Sequence, residues 1–77
     1  MSSSTHNAVA AIDIGTNSTN LLITGRDGRT LERQVTVTRL GQGVDKSRML
    51  APEAIGRTVL CLAQYRELLN AHGSPPL

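Results

Sequence analysis

Residues 9–23 read Val-Ala-Ala-Ile-Asp-Ile-Gly-Thr-Asn-Ser-Thr-Asn-Leu-Leu-Ile, and this stretch decides the fold. It begins with a nearly continuous apolar run, which is typical of a strand that is covered on both faces. A polar turn of Gly, Thr, Asn and Ser follows at 15–18, and residues 19–24 are again rich in strand-forming types. The pattern therefore predicts a β-hairpin that turns at 15–18.

A third strand is expected after the Asp-Gly pair at 27–28, because this pair favours a tight turn between strands. In the stretch 31–40, the apolar residues Leu31, Val35 and Val37 alternate with polar ones. This alternation predicts a half-buried strand whose apolar side faces a core.

A loop is expected at 41–47, and a helix is expected to begin at Pro52 and to end at Gly73. The chain is therefore predicted to fold as three antiparallel strands followed by one helix, an α+β arrangement. Apolar residues at helical spacing define the side of the helix expected to face the core: Ile55, Val59, Leu62 and Leu69, widened by Cys61, Tyr65 and Leu68. The Tyr65 hydroxyl is expected to reach water at the core edge.

Length and composition indicate that this core is incomplete. The chain has 77 residues, 39% of them hydrophobic, with one cysteine and neither Trp nor Phe. A chain this short buries only about 60–65% of its unfolded surface, and it has no disulfide to compensate. One helix covers one face of a sheet, whereas the apolar first strand calls for cover on both. We therefore expect residues 8–77 to be part of a larger domain, preceded by a disordered, Ser-rich leader at 1–7.

Charge and hydropathy argue against several functional classes. The net charge is +2, and the arginines are spread along the chain without a basic cluster, so no nucleic-acid partner is expected. No apolar stretch approaches the ~20 residues that span a bilayer, so no membrane association is expected. The N-terminal residues lack the features of a secretory signal, and a single cysteine suits a reducing compartment. The expected location is the cytoplasm.

The turn at 15–18 is the candidate site. Its backbone N–H groups, hydroxyls and amide could together hold phosphate oxygens, and Gly15 would let the backbone approach a ligand closely. Asp13 interrupts the apolar run and is a candidate ligand for Mg²⁺, which prefers oxygen ligands and often binds through water. The alternative is an ordinary hairpin turn in which Asp13 bonds the turn amides. Arg39 is open to two interpretations in the same way, as a solvated arginine or as part of the cleft.

Three segments in the same order resemble the Ppx/GppA family of exopolyphosphatases and guanosine pentaphosphate phosphohydrolases. The segment 9–23 looks like the first phosphate loop of the actin, heat-shock chaperone and sugar kinase superfamily, and its Asn-Ser after Gly-Thr points to Ppx/GppA. Arg-Leu-Gly-Gln-Gly-Val-Asp at 39–45 and Leu-Ala-Pro-Glu-Ala-Ile-Gly-Arg-Thr at 50–58 resemble the same family. Asn20 stands where family members often carry Arg or His, so a cationic contact to phosphate is expected to be missing there.

The resemblance implies a ribonuclease H-like α/β fold, of which only β1-β2-β3-α1 is expected here. It implies Mg²⁺-dependent hydrolysis of terminal phosphate from polyphosphate or guanosine pentaphosphate, in a full-length protein expected to be a homodimer. The carried-over site residues are Gly15, Thr16, Asn17 and Ser18 for phosphate and Asp13 for the metal. The catalytic glutamate is expected beyond this chain, so the fragment alone is expected to be inactive.

Two alternatives remain at this point. The chain could be a piece of an ATP-dependent acetate or sugar kinase, which shares the first phosphate loop. It could also be a non-catalytic module that associates with a partner through the uncovered face of its sheet.

Overall fold

A computed structural model describes residues 8–77, and the predicted disordered leader at 1–7 lies outside these described residues. The elements in chain order are β1 (Val9–Ile14), β2 (Ser18–Thr24), β3 (Thr30–Val37), α1 (Val44–Ser47) and α2 (Pro52–Ala71). The predicted α+β class is confirmed, with three strands ahead of one long helix. The unpredicted element is α1, a single turn of helix within the expected loop at 41–47.

The strands form one antiparallel sheet in the order β1-β2-β3. Ile14 pairs with Thr19 across the first hairpin, and Ser18 pairs with Val37 across the second. Because β2 is the central strand, its first residues lie between the end of β1 and the end of β3. The β1–β2 turn and the segment that follows β3 therefore emerge at the same end of the sheet.

The core lies between the sheet and α2. Its buried members are Ala8, Ala10, Leu21, Ile23, Cys61 and Tyr65, and Ile12, Leu68 and Leu69 pack against them. Burial of Cys61 and Tyr65 is as the sequence predicted. Within residues 8–77, neither helix combines the length and the apolar character needed to cross a bilayer.

The buried side of α2 differs from the prediction. Ala54, Thr58, Cys61 and Tyr65 are buried, whereas Ile55 is 43% exposed and Val59 is 59% exposed. The small side chains at 54, 58 and 61 let the helix approach the sheet closely, so the larger aliphatic side chains are turned outwards. The apolar residues at helical spacing were found correctly, but the side of α2 assigned to the core was wrong in its first half.

The orientation of β3 is also the reverse of the prediction. Val35 is 61% exposed and Val37 is 64% exposed, while the polar alternate residues face α2. The register explains this, because Thr36 pairs with Thr19, which is buried under the helix. We call the uncovered side of the sheet the open face; its large exposed apolar residues are Val9, Leu22, Leu31, Val35 and Val37.

The Tyr65 hydroxyl is bonded within the fold and does not reach water. It donates to the carbonyl oxygen of Thr19 over 2.8 Å. With its one proton used there, it accepts from the Thr36 hydroxyl, 2.7 Å away. Burial between helix and sheet raises the pKa of Tyr65 above its ordinary value of 10.0.

Candidate functional site

The turn between β1 and β2 is tight. The Gly15 N–H donates to the carbonyl oxygen of Ser18 over 2.8 Å, which closes the turn. A Cβ atom at Gly15 would stand 3.2 Å from that same oxygen, so a larger residue would strain the closure. Thr16 and Asn17 are left at the tip of the turn.

A second loop, residues 38–43, is bonded to this tip. The carbonyl oxygen of Asn17 accepts the N–H groups of Thr38 at 3.1 Å and Arg39 at 2.9 Å. The carbonyl oxygen of Thr16 accepts the N–H of Gly41 at 3.0 Å. A Cβ atom at Gly41 would lie 3.1 Å from the Cβ of Thr16, so the absence of a side chain permits this approach. The two loops therefore form one unit.

The hydrogen bonding leaves donors at the tip. Within residues 8–77, the backbone N–H groups of Thr16 and Asn17 donate to no acceptor, although both carbonyl oxygens are used. The Thr16 hydroxyl likewise has no partner among the described residues. Successive N–H groups that remain free in a turn form a concavity suited to an anion. This arrangement favours the phosphate-binding interpretation of the turn.

The two loops line a cleft of about 650 Å³. Its walls comprise Ile14, Gly15, Thr16, Asn17, Arg39, Leu40, Gly41, Gln42, Val44, Asp45 and Leu50. Among these, Arg39 is the one cation and Asp45 the one carboxylate. Four aliphatic side chains complete the wall, namely Ile14, Leu40, Val44 and Leu50.

Three of the four predicted phosphate residues line this cleft, namely Gly15, Thr16 and Asn17. Ser18 does not line it; its carbonyl oxygen closes the turn instead. Asp13 is exposed on the open face, in a shallow hollow that Asn20 and Arg33 also line. The roles assigned to these residues from sequence remain predictions.

The donor set for a metal ion is sparse. Within residues 8–77, no three His, Cys, Asp or Glu side chains gather to form a cation cage. Asp13 offers one exposed carboxylate, one residue from Ile14 of the cleft wall. A single carboxylate suits Mg²⁺, which retains several waters and often takes its other ligands from substrate phosphates. Asp13 lines the hollow of the open face and not the cleft, so its position next to Ile14 in the chain is the one feature that relates it to a phosphate bound at the loop tip.

The sequence interpretation missed Arg57, which ties the second loop to α2. Its Nε donates to the carbonyl oxygen of Thr38 over 2.8 Å, and its Nη2 donates to Oε1 of Gln42 over 2.7 Å. Nη2 also lies 3.4 Å from the carbonyl oxygen of Arg39. Glu53 stands four residues earlier on the helix, a spacing that permits an ion pair, but none forms between the two within the described residues. Arg57 instead fixes the loop that completes the cleft.

The start of β2, beside the turn, is held by bonds to the residue after β3 and to α2. The Thr19 and Thr38 hydroxyls are 2.9 Å apart and buried, which joins β2 to the residue after β3. Tyr65 bonds the Thr19 carbonyl from α2. Thr19 and Thr38 are therefore buried and bonded beside the two loops, while the loop tips remain open to a ligand.

Several known proteins contain a segment whose sequence is similar to that of this chain. Exopolyphosphatase 2 of Mycobacterium tuberculosis is 46% identical over 71 residues, which cover 83% of this chain and 22% of that protein. A bifunctional 3-dehydroquinate synthase/phosphatase of Fusobacterium nucleatum is 37% identical over 71 residues, covering 82% of this chain and 11% of that protein. No protein-family model matches the chain.

A solved structure shows the same fold. The crystal structure of an exopolyphosphatase-like protein superimposes with a TM-score of 0.78 at 38% identity, covering 84% of this chain and 20% of that one. The chain therefore spans about a fifth of the length of the exopolyphosphatases that it matches.

Proposed function

We propose, on the premise that this chain is a homologue of the N-terminal part of Ppx/GppA-type exopolyphosphatases, that its two bonded loops bind the terminal phosphates of a phosphate chain. The observation that carries the proposal is the hydrogen bonding at residues 16–17. Both carbonyl oxygens are held by the second loop, and both N–H groups are left free within the described chain. The expected ligand is polyphosphate or guanosine pentaphosphate.

The chemistry proposed for the whole protein is hydrolysis of a phosphoanhydride bond. Such hydrolysis depends on positioning and electrostatic stabilisation, because charge develops on the phosphoryl oxygens. In this chain, the N–H groups of Thr16 and Asn17 would hold those oxygens and fix the terminal phosphate. Mg²⁺ bound near Asp13 would neutralise phosphate charge.

No general base is assigned within residues 8–77. Glu53 and Glu67 lie on the exposed surface of α2 and do not line the cleft. The carboxylate that activates water is proposed to come from a segment outside this chain. We therefore expect the chain to bind phosphate chains and to release no phosphate from them.

Calorimetric titration of the purified chain with inorganic tripolyphosphate tests the binding role. Thr16→Val removes the hydroxyl at the tip and keeps the side-chain shape, so it should weaken binding about five-fold, the value of one hydrogen bond. Thr30→Val, at the opposite end of the sheet, is the matched control and should leave the affinity unchanged. Absence of binding by the unsubstituted chain would refute the proposal.

A second candidate function follows from the open face. Five large aliphatic residues are exposed on it, among them Val35 and Val37, and exposed apolar surface of this kind can mark an interaction site. The chain could therefore act as a non-catalytic module that associates through this face. A chain with this function would self-associate or bind a partner, and it would not bind tripolyphosphate. Sedimentation equilibrium therefore distinguishes the two functions.

A further inference from the structure

Arg39 has a backbone conformation that its residue type rarely adopts. Its φ angle is +51°, in the left-handed region that favours glycine. A non-glycine residue held there is strained, and such residues gather at functional sites. Arg48 and Ser74 share this conformation, so the role of the Arg39 side chain has to be inferred from its surroundings.

The surrounding residues hold this conformation in place. The Arg39 N–H donates to Asn17, and its carbonyl oxygen accepts the N–H of Gln42 at 3.0 Å and lies near the Arg57 guanidinium. The backbone of Arg39 is thus bonded to the phosphate-loop tip, to its own loop and to α2. Within residues 8–77, its side chain has neither a hydrogen-bond nor an ion-pair partner.

The charges of the cleft residues indicate what the Arg39 side chain could bind. Arg39 is the one cation among the cleft residues, beside the free N–H groups of Thr16 and Asn17. Arg57, the other guanidinium near the loops, already donates to protein oxygens. An anion held at the tip would therefore meet one available cation, and guanidinium groups pair with phosphate through two parallel hydrogen bonds.

We propose that Arg39 contacts the bound phosphate chain and supplies the cationic contact of the cleft. This inference rests on the proposed function. It assigns the recognition of the phosphate charge to the second loop and the positioning of the phosphate to the first loop.

Three variants test the assignment by titration with tripolyphosphate. Arg39→Gln removes the charge, and Arg39→Gly removes the charge while relieving the strained backbone. Both should weaken binding at least about five-fold, the effect of an exposed charge-assisted contact. Arg26→Gln removes the same charge in the turn at the far end of the sheet and should change the affinity less than two-fold.

The glycine variant separates binding from folding. Because glycine prefers the left-handed conformation, Arg39→Gly should unfold at the same temperature as the unsubstituted chain or at a higher one. Weaker binding by a chain that is equally stable supports a direct contact. If both Arg39 variants bind tripolyphosphate as well as the unsubstituted chain does, the inference is wrong while the proposed function stands. If the unsubstituted chain itself does not bind, both are wrong.

Discussion

The Tyr65 hydroxyl donates a hydrogen bond to the carbonyl oxygen of Thr19 over 2.8 Å, across 46 positions of the sequence. Thr19 is the first residue after the turn at 15–18, so this bond fixes the base of the candidate phosphate loop to the long helix. The Thr19 hydroxyl is buried against that of Thr38, which leads into the second loop. One buried tyrosine thereby stabilises the position of both loops.

Substituting Tyr65→Phe removes this bond to the buried Thr19 carbonyl oxygen and also the oxygen that accepts from the Thr36 hydroxyl. We expect the free energy of unfolding to fall by about 1–3 kcal/mol. Urea denaturation followed by far-UV circular dichroism measures the change. Thr30→Val, an exposed substitution, is the control and should stay within about 0.5 kcal/mol. Equal stability of Tyr65→Phe and the unsubstituted chain would contradict the described role of the bond.

The raised pKa of Tyr65 predicts a loss of stability at alkaline pH. Burial raises the folded-state pKa above 10.0, so the unfolded chain loses its phenolic proton first as pH rises. The contribution to stability is fully present below pH 10.0 and declines as pH rises through the folded-state pKa. Tyr65 is the one tyrosine of the chain, so its ultraviolet absorbance reports the titration directly. A midpoint at or below 10.0 would contradict the prediction.

The two loops should separate when a side chain is added between them. Gly41→Ala would place a Cβ atom 3.1 Å from the Thr16 Cβ and 3.2 Å from its Cγ2, so the loops must shift. We expect a destabilisation of about 1–3 kcal/mol and weaker binding of tripolyphosphate. Gly56→Ala is the matched control, because its added Cβ meets nothing within 4 Å on an exposed helical surface. It should stabilise the chain by about 0.5–1 kcal/mol without changing binding.

Asp45 carries the charge opposite to that of Arg39, so its substitution should change anion binding in the opposite direction. It is the one carboxylate lining the cleft, so it repels an anion bound there. Asp45→Asn should tighten tripolyphosphate binding about two- to five-fold at low ionic strength, and added salt should reduce the difference. Asp27→Asn, in the turn at the far end of the sheet, is the control. Equal affinity of Asp45→Asn and the unsubstituted chain at low salt would place the anion outside this cleft.

The role proposed for Asp13 can be measured through the metal alone. If Asp13 holds Mg²⁺ beside a bound phosphate chain, adding Mg²⁺ should tighten tripolyphosphate binding to the unsubstituted chain more than to Asp13→Asn. Asp27→Asn again serves as the control, and it should respond to Mg²⁺ as the unsubstituted chain does. An identical response of Asp13→Asn would exclude this residue as the ligand.

The sequence predicted the elements better than it predicted their orientation. The strands and α2 follow from apolar runs, turn residues and Pro52, which are local signals. The buried side of β3 depends on its pairing with β2, where Thr36 meets Thr19 under the helix. Alternation shows that the two sides of β3 differ in polarity, but it does not show which side packs against the helix.

In the candidate site, too, local features could be predicted from the sequence and contacts between distant residues could not. The candidate phosphate loop could be proposed from sequence because its residues are consecutive, and Arg39 was noted because it precedes a glycine-rich loop. Arg57 was missed, since its partners Thr38 and Gln42 lie 19 and 15 positions away and only the folded chain brings them together. The Tyr65–Thr19 bond was missed for the same reason.

The most direct test of the central claim is a titration of the ¹⁵N-labelled chain with inorganic tripolyphosphate, followed by nuclear magnetic resonance. The N–H groups of Thr16 and Asn17 should show the largest shifts, with a saturable dependence on ligand, and those of the turn at 25–29 should not move. Saturable binding with the largest shifts on the open face, or no saturable shift at Thr16 and Asn17, would contradict the claim that this loop binds phosphate.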